Sequence, residues 1–129
     1  MKILLCEDDH NIATIAKMAL EHIGGHKVTH AADGEIALKL GTTEAFDVIL
    51  LDDMMPKMSG VDVCAEFVRT GQNTAPVIFM SANPQERRVE QFKPTAIGFI
   101  PKPFDPTRLN EQISNLVQTA RNNPSKKAV

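Results

Sequence analysis

The sequence predicts an α/β fold: a doubly wound, five-stranded parallel sheet with helices on both faces. Three observations carry this. Five short runs suited to buried strands recur, at residues 3–6, 27–30, 48–51, 77–80 and 98–100. A segment with helical spacing of apolar residues follows each of them. The length, 129 residues, fits one domain, read here as residues 1–120 with a frayed tail at 121–129.

The elements follow in order. Residues 3–6, 48–51 and 77–80 are nearly continuous apolar stretches, as strands covered on both faces should be. Residues 27–30 are more polar and read as an edge strand. The first helix spans 11–23, with Ile12, Ile15, Ala16, Ala19 and Ile23 expected on one buried face and Gly24-Gly25 as its stop. A short second helix covers 35–40, after the Asp33-Gly34 turn. A third covers 61–69 and is closed by Gly71. Pro84 and Pro94 bracket the fourth, so residues 85–92 can hold only about two turns. The last spans 107–120, with Leu109, Ile113, Leu116, Val117 and Ala120 on one face and Asp105 as its cap.

Composition narrows the classes of function. A formal net charge of −2 argues against a nucleic-acid coat or a polybasic membrane anchor. The N-terminus lacks the apolar stretch of a signal peptide, and no run approaches a transmembrane span. Cys6 and Cys64 both lie in apolar stretches and read as buried free thiols of a cytoplasmic protein.

In doubly wound folds ligands sit beyond the carboxyl ends of the strands. Those positions hold Glu7, Asp8 and Asp9 after the first strand, Asp52 and Asp53 after the third, Ser81 after the fourth and Lys102 after the fifth. Carboxylates gathered together resist ionisation unless a cation sits among them. An oxygen-only set suits a hard divalent ion, Mg²⁺ above all, with Mn²⁺ a second fit. A metal beside a lysine is a receptacle for a phosphoryl group, and a carboxylate there can act as nucleophile and form an acyl phosphate.

These motifs resemble those of response-regulator receiver domains, the CheY-like superfamily of two-component signalling. The resemblance rests on Ile3 to Asp9, on Asp47 to Asp52 with the following Asp53-Met54-Met55-Pro56 and Gly60, on Pro76 to Ala82, and on Lys102-Pro103-Phe104. It runs from residue 2 to about residue 118 and implies a flavodoxin-like strand order, 2-1-3-4-5. It also implies that Asp52 is the phosphoacceptor and that Glu7, Asp8, Asp52 and the main-chain carbonyl of Met54 hold the metal. Ser81 would be the switch hydroxyl, Lys102 the phosphate-contacting lysine and Phe99 the aromatic switch position. A cis bond is implied between Lys102 and Pro103. Met54 and Asn83 match positions that tune dephosphorylation.

The implied partners are a histidine kinase or phosphotransfer protein upstream and an effector protein downstream, with no direct binding of DNA or membrane. A stand-alone domain, monomeric or dimerising on phosphorylation, fits this reading; it is a signalling domain rather than an enzyme. The alternative is a phosphorylation-independent pseudo-receiver that only binds proteins. A phosphohydrolase with an aspartyl nucleophile would want a second acid where Met54 stands. A nucleotide-binding fold would want a glycine-rich loop where the first acids stand.

The sequence departs from the family pattern at Asp53, usually apolar there, and in the proline-bracketed stretch 83–98. Asp53 should point away from Asp52 and be partly exposed. Asp9 reads as a helix cap, and His10, His22, His26 and His30 as surface or packing residues. Met54, Met55 and Met58 read as loop packing.

Overall fold

The chain, described by a computed structural model over residues 1–72, 75–82 and 86–122, forms one five-stranded sheet. Its strands are β1 (Lys2–Cys6), β2 (Lys27–Ala31), β3 (Val48–Asp52), β4 (Val77–Ser81) and β5 (Ala96–Pro101). All pairings are parallel, in the order β2-β1-β3-β4-β5. The helices are α1 (His10–Met18), α2 (Gly34–Thr43), α3 (Gly60–Thr70), α4 (Glu86–Gln91) and α5 (Leu109–Arg121). The polar strand β2 lies at an edge, as its composition predicts.

Every residue of β3 and β4 is buried, which is why those stretches carry no polar alternation. Their side chains alternate between two cores. Leu50, Ile78 and Met80 pack with Ala13, Ala16 and Leu20 and with Leu109, Ile113 and Val117 of α5. Ile49, Leu51 and Phe79 pack on the other face with Ala37 of α2, Val63, Cys64 and Phe67 of α3, and Phe92. The chain steps outward from β1 to β2 and then back past β1 to β3. The reversal opens a crevice between the carboxyl ends of β1 and β3, where Glu7 and Asp52 emerge.

Several local expectations need correction. The first helix is not uniform: after Met18 it widens into a π-helical turn, Ala19–Ile23. The Asn110 side chain donates to the Ala19 carbonyl at 3.0 Å, beside the Gly24 N–H at 3.3 Å. A carbonyl shared with a side chain favours the wider turn. Nor does the buried face follow the isoleucines. Ala13, Ala16, Ala19 and Leu20 are buried, and Ile15 and Ile23 are exposed. Small alanines let the helix lie close to the sheet, so the larger residues flank the contact.

The last helix begins at Leu109, not Thr107. The Asp105 carboxylate captures the Thr107 N–H at 2.9 Å and its hydroxyl at 2.7 Å, which forms a tight turn before the helix. Asp105 therefore caps that turn, and Arg108 takes the N-cap position without a side-chain bond.

Helix α2 extends three residues past the expected end, whereas α3 ends as expected at Gly71, which takes the left-handed conformation. Helix α4 has six residues, in keeping with its prolines. Residues 123–129 of the expected tail, and Asn83, lie outside the described residues.

Candidate metal centre at the strand ends

Glu7 is built into the crevice rather than hung over it. Its backbone N–H donates to the Ala31 carbonyl at 3.0 Å, and its own carbonyl meets His30 Nε2 at 2.7 Å. One carboxylate oxygen accepts the Asp9 N–H at 3.1 Å; the other accepts Lys102 Nζ at 2.6 Å. Asp52, the last residue of β3, is 4% exposed, and its carboxylate lies 3.2 Å from the same Lys102 Nζ. Asp8 stands at the exposed rim. Oxygens of Glu7, Asp8 and Asp52 all lie within 4.8 Å of one another.

The electrostatics follow from two buried carboxylates sharing one ammonium. Desolvation, and then the charge of Glu7, push the Asp52 carboxyl up to about 7, and Lys102 only partly opposes this. Burial disfavours the Lys102 ammonium, but the hydrogen bond to Glu7 and the charges of Asp52 and Glu7 outweigh that, and its net shift is upward. Cys6 beneath them is buried, and desolvation together with the Asp52 charge raises its thiol well above its usual range. The other buried thiol, Cys64, is pushed up to about 12 by burial alone. Neither is a ready nucleophile or metal ligand.

A hard divalent cation fits this donor set: three carboxylates, two of them buried, converging without an imidazole or thiolate. Met54 supports the site through its backbone, its N–H lying 3.4 Å from Asp52 Oδ1, while its side chain is 76% exposed. Met55 and Met58 pack against the core, so only part of the methionine group serves loop packing. Asp9 is the N-cap of α1, accepting the N–H groups of Asn11 and Ile12. His10 begins α1 and is exposed, and His26 meets the N-terminal amine at 3.0 Å. The Lys102-Pro103 bond is cis, and so is Lys93-Pro94.

Ser81 is buried at the end of β4 beside the crevice. Its hydroxyl donates to Asp53 Oδ2 at 2.7 Å. Asp53 is half-buried, as expected, and its bond to Ser81 is not predicted by the sequence. The register explains it: Asp52 pairs with Met80, so Asp53 and Ser81 come side by side one step on. Alternation turns the Asp53 side chain away from Asp52, and the Ser81 hydroxyl is turned toward Asp53. Phe99 pairs with Phe79 in the sheet and is partly buried, away from the acids.

Comparison with known proteins supplies the context. A family model described as the response regulator receiver domain matches residues 3–114. The chain is 34% identical over 118 residues to the alkaline phosphatase synthesis transcriptional regulatory protein PhoP of Bacillus subtilis, covering 91% of this chain and 48% of that protein. It thus spans about half the length of PhoP, and 46% of a ycf27 regulator from Cyanidium caldarium. Among solved structures it resembles the receiver domain of the Francisella response regulator 1452, at TM-score 0.78 and 34% identity, over 92% of this chain and 97% of that one. It also resembles the response regulator TrrA of Thermotoga maritima in complex with Mg²⁺ and beryllofluoride, at TM-score 0.75 and 29% identity, over 89% of this chain and 97% of that one.

Proposed function

Because this chain belongs to the response-regulator receiver-domain family, we propose that it is a two-component switch whose Asp52 accepts a phosphoryl group from the phosphohistidine of a kinase or phosphotransfer protein. The observation that carries this is a buried Asp52 held between Glu7 and Lys102 at the reversal point of the sheet. An Asp52 carboxylate oxygen forms the new bond to phosphorus. The donor's P–N bond breaks, and its electron pair returns to the imidazole nitrogen.

Glu7, Asp8, Asp52 and, by resemblance, the Met54 carbonyl would hold Mg²⁺, which supplies charge neutralisation for the phosphoryl oxygens. Mn²⁺ would suit the same oxygens. Lys102 Nζ lies 3.2 Å from Asp52, which supports a role for its ammonium beside those oxygens. The TrrA neighbour, solved with Mg²⁺ and beryllofluoride, supports the cation assignment. Two buried free thiols support a reducing, cytoplasmic setting.

Phosphorylation would shift an existing equilibrium through Ser81 and Phe99 to a state that a partner protein reads. The balanced net charge favours a protein over DNA as what this domain itself touches.

Incubation with Mg²⁺ and acetyl phosphate, followed by intact mass, tests the reading. We expect one added phosphoryl group, absent without Mg²⁺ and absent in Asp52→Asn. If neither acetyl phosphate nor a histidine-kinase donor adds mass to the parent, the domain is a pseudo-receiver.

A further inference from the structure

Resting on that reading, we propose that Asp53 is a built-in brake on the switch. Its carboxylate holds the Ser81 hydroxyl in the unphosphorylated domain, and a phosphoryl group on Asp52 must draw that hydroxyl away. A serine hydroxyl has one proton to donate. Here it goes to Asp53 Oδ2 at 2.7 Å, a charge-assisted bond to a side chain only 3% exposed on the donor side. The acyl phosphate would offer a second anionic acceptor on the neighbouring residue. Two acceptors then compete for one donor.

The backbone around this pair is held on both strands. The Asp53 N–H is tied to the Met80 carbonyl at 3.2 Å, and its carbonyl accepts the Gly60 N–H at 3.1 Å. The Ser81 carbonyl accepts the Lys102 N–H at 2.8 Å, which fixes β4 to the start of the lysine loop. With both main chains pinned, the hydroxyl changes partner by rotation about the Ser81 Cα–Cβ bond, from one staggered well to another. Part of the affinity for a phosphoryl group is spent on emptying the Asp53-bound state, so apparent affinity falls with the fraction held there. An apolar residue at position 53 imposes no such competition.

Asp53 is a positioning residue in this scheme, and its effect must run through Ser81. The test is a double-mutant cycle read as affinity for beryllofluoride in the presence of Mg²⁺. Asp53→Leu should tighten binding about tenfold, the size expected when one charge-assisted competitor is removed. In a Ser81→Ala background the same substitution should change affinity far less, because the hydroxyl for which the two acceptors compete is then absent. Asp53→Asn keeps an oxygen that can accept the hydroxyl, so it should tighten binding less than Asp53→Leu; its own cycle with Ser81→Ala serves if the leucine variant does not fold. Equal factors in both backgrounds, or no tightening with Ser81 present, overturn the brake. A parent that takes up no beryllofluoride overturns the phosphoacceptor reading and the brake with it; uptake by the parent without coupling overturns the brake alone.

Discussion

Leu50 and Asp52 lie two residues apart on β3, face the same side of the sheet and are almost equally buried, yet burial has opposite consequences for them. Around Leu50 the neighbours are aliphatic, and removing that side chain from water stabilises the fold by about 2–3 kcal/mol. Around Asp52 they are Glu7 and Lys102, and removing that carboxylate from water costs free energy that one shared ammonium only partly returns. The strand interior is complete in itself. In the function proposed above, the strand end is completed by something that arrives: a cation, then a phosphoryl group. The fold tolerates the second because it has a surplus of the first.

The sharpest test of that contrast is Leu50→Ala. It should cost about 2–5 kcal/mol in urea unfolding, through lost transfer free energy and a cavity. Folded protein at low denaturant should keep the parent's Mg²⁺ affinity; a large loss of affinity would join interior and edge into one unit.

Asp52→Asn should move stability the other way, raising that of the metal-free protein by about 1–2 kcal/mol near pH 8. The sign follows from Asp52 being held up to about 7, above the 3.8 of an unperturbed aspartate. Between those values the folded domain keeps a proton that the unfolded chain has released. Stability therefore falls as pH rises through that window and levels off above it. Urea midpoints across pH 4–8 should show that slope in the parent and a flatter line in the variant. No difference in slope would mean that the edge is satisfied without a ligand.

The smallest effect is expected at Asp9, which sits among the acids but belongs with the scaffold. Asp9→Ala should cost about 1 kcal/mol through loss of the α1 cap. Calorimetric titration with Mg²⁺ should then give an affinity close to the parent's. Loss of binding would transfer Asp9 to the metal centre.

The strands and the acidic site were legible because their signals are local. β1, β3 and β4 announce themselves as unbroken apolar runs, and the residues that follow them meet at one edge by topology alone. Glu7, Asp8, Asp52 and Lys102 converge as their positions imply. What could not be read depended on neighbours distant in the chain. The π-helical turn involves Asn110, 91 residues away from Ala19. The burial of alanines rather than isoleucines on α1 depends on how closely that helix lies on the sheet. The Asp53–Ser81 bond needs the register of two strands as well as their identity. The cap expected from Asp105 fails for the same reason: its carboxylate closes the turn at Thr107, and the helix starts later, at Leu109.

The loop from Asp53 to Ser59 is closed at its base by the Gly60 N–H on the Asp53 carbonyl, and is stitched at Pro56 to the Gly34 N–H at 3.2 Å. A Cβ on Gly60 would overlap the Asp52 carbonyl oxygen, and one on Gly34 would overlap that of Met58. Most surface loops are where a protein engineer inserts a tag, grafts an epitope or adds residues at small cost. This one is closed to such editing. Its length is matched to the distance between two stitches, and an insertion between them is expected to strain the main chain beside Asp52. Retuning this domain is therefore a matter of exchanging side chains at 53, 54 and 55 on a fixed frame, and variant libraries aimed at it should vary letters and never length.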